Sequence, residues 1–375
     1  MQQAKHGTER ATRAIIDLGA ISHNVAAIRR KIGDQKGLMA VVKADGYGHG
    51  AVEVSRTALR SGADSLAVAI PEEAQQLREA GIEAPILVLG LIQPDEAWKV
   101  VNSRSDQTVS SIALLEALDW EAGKASTQVN VHVKVETGLG RIGLEPHDAA
   151  AFLRRARTYR NLKVAGLFSH FSAADERDKT FSRHQLQLFE EAMREIEHAG
   201  IELPQRHMAN SAATLDLPES YYDVVRPGLI IYGLYPSAEV SHSIDVKPAM
   251  TLKTRICYLK TVPPGTPISY GRTFVTRKQT RVATLPLGYG DGYRRALANK
   301  GEVLVRGRRV PVMGRICMDM CMIDVSDMPD VQAGDEAIVF GGGLPAEEVA
   351  AKIGTINYEV VTTVGKRVPR VYVNG

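Results

Sequence analysis

The sequence predicts a (β/α)8 barrel of the TIM type followed by a C-terminal β-rich domain, an α/β plus all-β architecture. Two rhythms along the chain lead to this prediction. From about residue 13 to 235, short apolar runs alternate with segments whose apolar residues recur at helical spacing. After about residue 240, short segments rich in Val, Ile and Thr are separated by Gly or Pro turns, which is typical of an all-β domain. We therefore place the barrel at residues 1–240 and the β-rich domain at residues 241–375.

Eight apolar runs in the first part of the chain are candidate barrel strands. They are residues 38–44, 65–69, 85–90, 107–110, 129–136, 164–170, 205–209 and 222–226. Helix-like stretches such as residues 71–80 and 179–199 lie between them, and a glycine follows each of these two. Eight strand–helix repeats within about 200–250 residues favour a closed barrel over an open doubly wound sheet. An earlier strand-like segment, residues 13–18, lies outside the eight repeats.

Composition excludes several classes of function. The chain has 46 basic and 43 acidic residues and a net charge of +3, which is too balanced to predict a nucleic-acid or membrane partner. Its three cysteines, Cys257, Cys317 and Cys321, are too few for a disulfide framework, and no second Cys/His pair completes a metal site, so we expect no metal. Residues 1–20 carry charges throughout, and no run approaches the roughly 18 apolar residues of a membrane span, so we expect a cytoplasmic protein.

Lys43 is a candidate nucleophile at the end of the first barrel strand. It stands in the sequence VKADGYGHG, residues 42–50. Burying a lysine cation in an apolar strand is costly, so burial lowers the pKa and makes the amine a nucleophile that forms Schiff bases with carbonyl compounds. The alternative is a lysine whose ammonium group reaches solvent at the strand end. The glycines that follow permit a tight loop close to a ligand.

Four further residues lie at or just after the ends of the last three strands. The sixth strand ends at His170, the seventh leads into Ser211, and the eighth ends in Arg226, with Gly228 two residues later. Barrel enzymes often bind phosphate with the loops after strands seven and eight. Each residue alone also has an ordinary structural explanation, such as a helix cap or a surface ion pair. Together with Lys43, they indicate a phosphorylated aldehyde cofactor, for which pyridoxal 5′-phosphate (PLP) is the candidate.

A glycine motif in the middle of the barrel sequence resembles the motif of dinucleotide-binding sites but lacks their sequence context. The sequence GLGRIG at residues 138–143 matches the G-x-G-x-x-G pattern of dinucleotide sites. Such a loop must open a helix directly and be followed about 20 residues later by an acidic residue. Here Glu145 and Pro146 intervene, and residues 157–165 contain no acid. We therefore do not expect a dinucleotide-binding site.

Three clusters in the β-rich part combine polar and apolar residues. They are LGYGDGY at residues 287–293, GRICMD at 314–319 and NYEV at 357–360. From the residues alone, either functional loops or ordinary turns and edge strands explain these clusters.

The ordered motifs of this chain resemble those of the alanine racemase family. The most specific are residues 40–50, 169–171, 208–212, 225–233, 288–292, 314–319 and 357–360, and the match runs over nearly the whole chain. The resemblance implies a PLP-dependent isomerase that interconverts L-alanine and D-alanine and supplies D-alanine for the bacterial cell wall. It also implies a homodimer with shared active sites, in which barrels and β domains are arranged head to tail.

The resemblance assigns a role to each candidate residue. Lys43 matches the lysine that binds PLP and acts as the base for the D-enantiomer, and Tyr289 matches the opposing base, donated by the partner subunit. Arg226 matches the arginine at the pyridine nitrogen, with His170 beside it. The phosphate-binding positions correspond to Tyr47, Ser211, Gly228, Leu229 and Tyr358.

The remaining matches concern the substrate. Arg141 matches the arginine that contacts the phenolic oxygen of the cofactor and the substrate, and Lys134 falls at a lysine that is often carbamylated and pairs with that arginine. Met318 matches the residue whose backbone N–H binds the substrate carboxylate, and Asp319 lies next to it, both from the partner subunit. One departure is Gly290, where the family pattern leads us to expect Ala.

Two other functions are compatible with this scaffold. A racemase specific for serine, or one of broad specificity, would share the motifs. A non-catalytic PLP-binding barrel protein is a different class, but such proteins lack a second β domain. The presence of Tyr289 and of the Met318–Asp319 pair argues against that class.

Overall fold

The chain divides into two compact units in the computed structural model, which describes residues 10–375. One unit is Gly19–Lys247, and the other joins the described residues up to Leu18 to Pro248–Gly375. This division differs from the sequence-based limits 1–240 and 241–375 at both ends. Strand β1 (Arg13–Asp17) belongs to the C-terminal unit because its backbone pairs with strands there. Residues up to Lys247 stay with the barrel, where Asn24 exchanges two hydrogen bonds with the Lys247 backbone (2.9 and 2.7 Å).

The first unit is a closed barrel of eight parallel strands, which confirms the predicted fold class. The strands are β2 (Gly37–Val41), β3 (Ser65–Val68), β4 (Ile86–Val88), β5 (Asp106–Val109), β6 (Val129–Lys134), β7 (Leu162–Phe168), β8 (Gln205–His207) and β9 (Val224–Val225). Each overlaps one of the eight predicted runs. Pairing of β2 with β9, Gly37 opposite Val224 and Leu38 opposite Val225, closes the barrel. The strands read as near-continuous apolar runs because both of their faces are covered.

One helix, Leu18–Ile32, precedes the first barrel strand. The helices that follow barrel strands span Ala51–Arg60, Pro71–Glu79, Ala97–Ser103, Ile112–Lys124, Ala149–Ala156, Thr180–His198 and Ser211–Asp216, and shorter 3-10 turns span Pro94–Glu96, Pro146–Asp148, Pro218–Ser220 and Leu229–Tyr232. The longest, Thr180–His198, buries Leu186, Phe189, Met193 and Ile196, which recur at helical spacing on its barrel-facing side. Within residues 10–375, no helix is both long enough and apolar enough to cross a membrane.

Besides β1, the strands of the second unit are β10 (Met250–Arg255), β11 (Tyr258–Val262), β12 (Pro267–Ile268), β13 (Phe274–Val275), β14 (Thr280–Leu285), β15 (Glu302–Val305), β16 (Arg308–Met313), β17 (Cys321–Asp324), β18 (Glu336–Phe340) and β19 (Arg370–Val373). Nine of the strands in this unit form one sheet with the order β11-β14-β17-β16-β15-β18-β10-β1-β19. Strands β12 and β13 form a separate hairpin, and helices span Ala346–Ile353 and Asn357–Thr362. Burial alternates along β10, as a strand with one covered face requires.

Candidate active site

Lys43 opens a left-handed turn directly after β2. The strand ends at Val41, two residues before Lys43, rather than continuing to residue 44 as the sequence analysis predicted. Ala44, Asp45 and Gly46 have φ values of 52°, 53° and 60°. An L-residue in this region costs about 1–2 kcal/mol. A run of such residues therefore persists only where surrounding contacts hold it in place.

Side-chain hydrogen bonds hold this turn and set the environment of Lys43. The Ala44 N–H donates to Glu73 Oε1 at 2.6 Å, and Asp45 Oδ1 accepts from the backbone of the next helix at 3.0 Å. Burial lowers the pKa of Lys43, the positive charge of Arg141 lowers it further, and Glu73 opposes the shift. The turn thus presents an amine that loses its proton more easily than an ordinary lysine, as the sequence analysis expected.

Tyr47, Ser211 and Gly228 meet beside this turn. The Gly228 N–H donates to Ser211 Oγ at 2.9 Å. A Cβ atom on Gly228 would lie 2.5 Å from Tyr47 Oη, so only glycine leaves the tyrosine hydroxyl in its place. The Tyr47 ring packs against Tyr232 with 4.9 Å between centroids. Leu229 is buried and begins the 3-10 turn that follows. Two hydroxyl groups and a backbone N–H therefore converge on one small cradle.

Lys134, the last residue of β6, is almost fully buried, with 1% of its surface exposed. Burial lowers its pKa to about 7; Glu136 opposes this shift, while Arg226 and Arg141 add to it. Its Nζ donates to Val135 O at 2.7 Å. A much larger fraction of this amine than of an ordinary lysine is therefore neutral at physiological pH.

Arg226 is a buried cation among neutral partners. Its guanidinium donates to His207 Nδ1 (2.7 Å), Ser169 O (2.8 Å), Met208 O (3.2 Å) and His170 Nδ1 (3.3 Å). Among the residues that the structure describes, no carboxylate forms an ion pair with it. Burial lowers the pKa of Arg226 to about 9. Burial, and next the charge of Arg226, hold the pKa of His170 well below its ordinary value, so that imidazole is neutral.

Arg141 stands on an exposed loop that Glu136 organises. The Glu136 carboxylate accepts hydrogen bonds from the backbone N–H groups of Gly138 (2.6 Å), Leu139 (2.6 Å) and Arg141 (3.1 Å). The loop does not open a helix, since the next element is the 3-10 turn Pro146–Asp148. The glycine motif at residues 138–143 therefore lacks the strand–loop–helix geometry of a dinucleotide site, in agreement with the sequence analysis.

In the second unit, the Tyr289 loop and the Met318 loop lie backbone to backbone. The Tyr289 N–H donates to Cys317 O at 3.0 Å, and the Gly290 N–H donates to Met318 O at 2.9 Å. A Cβ atom on Gly288 would overlap both carbonyl groups of the neighbouring loop. Tyr289 and Met318 are 42% and 52% exposed, so both side chains are available to a ligand or to another protein surface.

The buried carboxylate of Asp291 stabilises these two loops. It is fully buried, accepts from the Gly288 N–H (2.9 Å) and pairs with Arg367 (2.8 Å) and Arg10. Burial alone would raise its pKa, but hydrogen bonds from Arg10, Gly288 and Arg367 hold the pKa of Asp291 below its ordinary value. Arg367 also donates to Asp319 Oδ1 at 2.8 Å. One arginine thus links the tyrosine loop to Asp319.

Gly290, the departure from the family pattern, lies against the same arginine. A Cβ atom there would come within 2.5 Å of Arg367 Nη2 and 3.1 Å of Met318 O. The glycine therefore leaves room for Arg367 in its present position, and an alanine would require the guanidinium end to shift.

The structure gathers the predicted residues into two groups. Nine lie in the barrel unit, at or just beyond the carboxyl ends of its strands: Lys43, Tyr47, Lys134, Arg141, His170, Ser211, Arg226, Gly228 and Leu229. Tyr289, Met318 and Asp319 share one region of the second unit, which also carries Tyr358 on helix Asn357–Thr362.

For several residues that support these groups, the sequence did not predict the role that the structure gives them. They include Glu73, Glu136, Ser169, His207 and Arg367. The signal available for His207 was its position directly before the motif at 208–212, together with the need of a buried Arg226 for a hydrogen-bond partner. Glu73 and Arg367 carried no local signal, because each acts on residues far away in the chain.

Comparison with known proteins covers both units. The profile of the alanine racemase N-terminal domain matches residues 16–236, and that of the C-terminal domain matches residues 249–372. The chain is 49% identical to the alanine racemase of Desulforamulus reducens over 363 residues, which is 96% of this chain and 98% of the relative. It is 46% identical to the alanine racemase of Methanococcus maripaludis, covering 96% and 98% of the two chains.

Solved structures agree with these sequence matches. The alanine racemase of Streptomyces lavendulae superposes with a TM-score of 0.93 at 39% identity, covering 98% of both chains. The alanine racemase of Bacillus anthracis with bound L-Ala-P gives a TM-score of 0.93 at 36% identity and covers 98% of this chain and 96% of that one. Both domain profiles and full-length relatives near half identity therefore establish that this chain belongs to the alanine racemase family.

Proposed function

We propose that this chain is a PLP-dependent alanine racemase that interconverts L-alanine and D-alanine and supplies D-alanine for the bacterial cell wall. The observation that carries the proposal is the convergence of Lys43 and the Tyr47–Ser211–Gly228 cradle at one end of the barrel. Relatives named alanine racemase align with this chain across both units, which supports the same activity for the whole chain.

The residues of the barrel unit fit PLP. The hydroxyl groups of Tyr47 and Ser211 are donors suited to a phosphate, and the Gly228 N–H orients Ser211 by donating to its Oγ. A Cβ atom at Gly228 would fill the space beside Tyr47 Oη. Within this unit we assign the phosphate to Tyr47, Ser211, Gly228 and Leu229, the ring to Arg226 and His170, and the phenolic oxygen to Arg141. The family resemblance adds Tyr358, which belongs to the second unit, to the phosphate-binding residues. PLP, when bound through its aldehyde carbon to Lys43, supplies an electron sink for the negative charge that develops at the substrate Cα.

Arg226 sets the character of that sink. Its guanidinium is a buried cation that can only donate hydrogen bonds. With the cofactor bound, a cation at this position would disfavour a proton on the ring nitrogen. Arg226 would therefore keep the electron sink weak and limit side reactions such as transamination.

Racemisation needs proton removal on one face of Cα and proton delivery on the other. Lys43, whose pKa burial lowers, serves the D-enantiomer. Tyr289 serves the L-enantiomer from the opposite face, and its partly exposed side chain is free to reach another surface. Arg141 and the Met318 N–H hold the substrate carboxylate, with Asp319 beside them.

The two bases come from different subunits of a homodimer in this proposal. Tyr289, Met318 and Asp319 are donated by one protomer to the barrel of its partner. A two-fold dimer makes such an exchange reciprocal, so that both sites are completed at once.

Reductive labelling tests the cofactor assignment. The purified protein should absorb visible light, and borohydride should fix the cofactor to the peptide that contains Lys43, because that amine lies beside the cradle and burial lowers its pKa. A kinetic comparison of alanine, serine and lysine as substrates should show preference for alanine. Label on any other lysine would overturn the role of Lys43, and a preference for serine would change the substrate.

We expect Lys134 to be carbamylated. Carbon dioxide reacts with the neutral amine, releases a proton and leaves an anionic carbamate. With a pKa of about 7, roughly half of the Lys134 amine is neutral at pH 7, against about one part in three thousand for a lysine at 10.5. The carbamate turns repulsion from Arg141 into a charge-assisted pair.

Chemical rescue and carbon-13 NMR test this modification. Lys134→Ala should lose most of its activity and regain part of it with added acetate, and 13C-labelled bicarbonate should give a carbamate signal in the wild type only. Chloride at equal ionic strength and acetate added to Lys43→Ala are the controls, since neither should restore activity. Absence of both the rescue and the carbamate signal would contradict the assignment.

A further inference from the structure

A row of four polar side chains crosses the interior of the barrel. Arg226 follows β9 at the carboxyl end, His207 ends β8, His132 lies within β6, and Asp106 begins β5 at the amino end. Arg226 Nη1 lies 2.7 Å from His207 Nδ1, and His207 Nε2 lies 2.8 Å from His132 Nδ1. His132 Nε2 lies 3.5 Å from Asp106 Oδ2, whose side chain is 20% exposed. The row thus connects the buried guanidinium with a carboxylate at the far end of the barrel.

The barrel is shaped to hold the two imidazoles. Gly166 on β7 lies opposite His132, and a Cβ atom there would overlap the His132 ring. The register between β6 and β7 shifts at His132, which places the ring over the glycine. Phe168 stacks on His207 with 4.7 Å between ring centroids and 12° between planes. Each ring therefore has a defined position.

The hydrogen-bond partners determine which nitrogen carries each proton. A guanidinium only donates, so His207 Nδ1 must accept from Arg226. Burial holds the pKa of His207 well below its ordinary value, so the ring is neutral and its proton lies on Nε2. That proton is donated to His132 Nδ1. Because His132 Nδ1 accepts that hydrogen bond, the His132 proton lies on Nε2, which faces Asp106. The other oxygen of Asp106 accepts from Asn130 at 3.0 Å.

We propose that Asp106 and His132 are positioning residues that act through His207 to keep Arg226 charged and correctly oriented toward the cofactor ring. A buried cation without a paired carboxylate needs oriented dipoles around it. The Asp106 carboxylate favours the one arrangement in which the His207 lone pair faces the guanidinium. If the two histidines carried their protons on Nδ1 instead of Nε2, the His207 N–H would face an N–H group of Arg226. The catalytic part of this proposal rests on the racemase function proposed above.

Nitrogen-15 NMR of the full chain with labelled histidines tests the row without using activity. In the wild type, the hydrogen bonds of the row should place the proton of His207 and that of His132 on Nε2, and His132→Phe identifies the second signal. In Asp106→Asn, the amide can donate as well as accept, so the His132 tautomer should become mixed. A wild-type His207 protonated on Nδ1, or unchanged tautomers in Asp106→Asn, would overturn the proposal. The wild-type spectrum decides the question even where the variant does not fold.

Kinetics test the positioning role. Asp106→Asn should lower kcat about 10–100-fold, by analogy with the loss that follows removal of the carboxylate partner of a metal-ligating histidine. KM for alanine should change little, and the share of turnovers that release pyruvate should rise. Asp64→Asn is the matched control, because Asp64 bonds Leu38 N (2.7 Å) and Arg29 (2.6 Å) at the same end of the barrel and should leave kcat and the pyruvate share unchanged.

The two readouts separate this proposal from the racemase function. A wild type that does not racemise alanine would overturn the proposed function, while the NMR result would still decide the row. Altered tautomers with a wild-type kcat and pyruvate share would overturn the positioning role alone.

Discussion

Refolding Lys43→Ala and Tyr289→Ala chains together should restore about a quarter of the wild-type racemase activity from two nearly inactive parents. Random pairing of equal amounts gives about half heterodimers under two-fold symmetry. In each heterodimer one site carries both substitutions. The other combines an intact lysine from one chain with an intact tyrosine from the other, so one site in two works.

The control for this experiment is each variant refolded alone, which should stay inactive. Native mass spectrometry should confirm the heterodimers by mass. If both groups were contributed by the same chain, every heterodimer site would lack one of them. An inactive mixture with heterodimers present would therefore mean that each site is built within one subunit.

Arg226→Glu should slow racemisation by about 100-fold or more, the usual range for losing a preorganised electrostatic group at a reacting centre. A carboxylate beside the ring nitrogen favours a proton on that nitrogen, which draws charge away from the substrate Cα. Return of a proton to Cα then slows and transamination competes. Pyruvate released per alanine racemised should rise and is measured with a coupled assay.

Arg226→Lys is the matched variant for this prediction. It keeps the positive charge and loses the planar fork that reaches His207, Ser169 and Met208. It should racemise more slowly than the wild type but keep a low pyruvate yield. The thermal stability of both variants should be measured as a control. In Arg226→Glu, a carboxylate would face the Ser169 and Met208 carbonyl groups and lower the stability. An unchanged pyruvate yield in Arg226→Glu would contradict the proposed role of the charge.

Much of the barrel was predictable because its signals are local. Each apolar run of four to eight residues overlaps a strand in the structure, since buried parallel strands need apolar residues on both faces. Lys43 and Gly228 were identifiable for the same reason: a lysine after an apolar run and a glycine after a strand are visible within a few residues. The environment of Lys43 agrees with the expectation of a lowered pKa.

The parts that were not predictable depend on residues distant in the chain. The limits of the two units differ from the predicted ones because β1 pairs with β10 and β19, which lie more than 200 residues away in the chain. The turn at residues 44–47 is left-handed in three non-glycine residues, against their local preference, and contacts such as that with Glu73 hold it there.

The sequence by itself determined the fold class, the position of the lysine and the residue types around it, because apolar periodicity and glycine placement act over a few neighbouring residues. Only the tertiary structure decided which charges meet. It buried Lys134 enough to lower its pKa to about 7, surrounded Arg226 with neutral acceptors, and aligned His207, His132 and Asp106 from three different strands. The physical reason is that desolvation and hydrogen-bond direction depend on the complete surroundings of a group, which the closed barrel alone supplies.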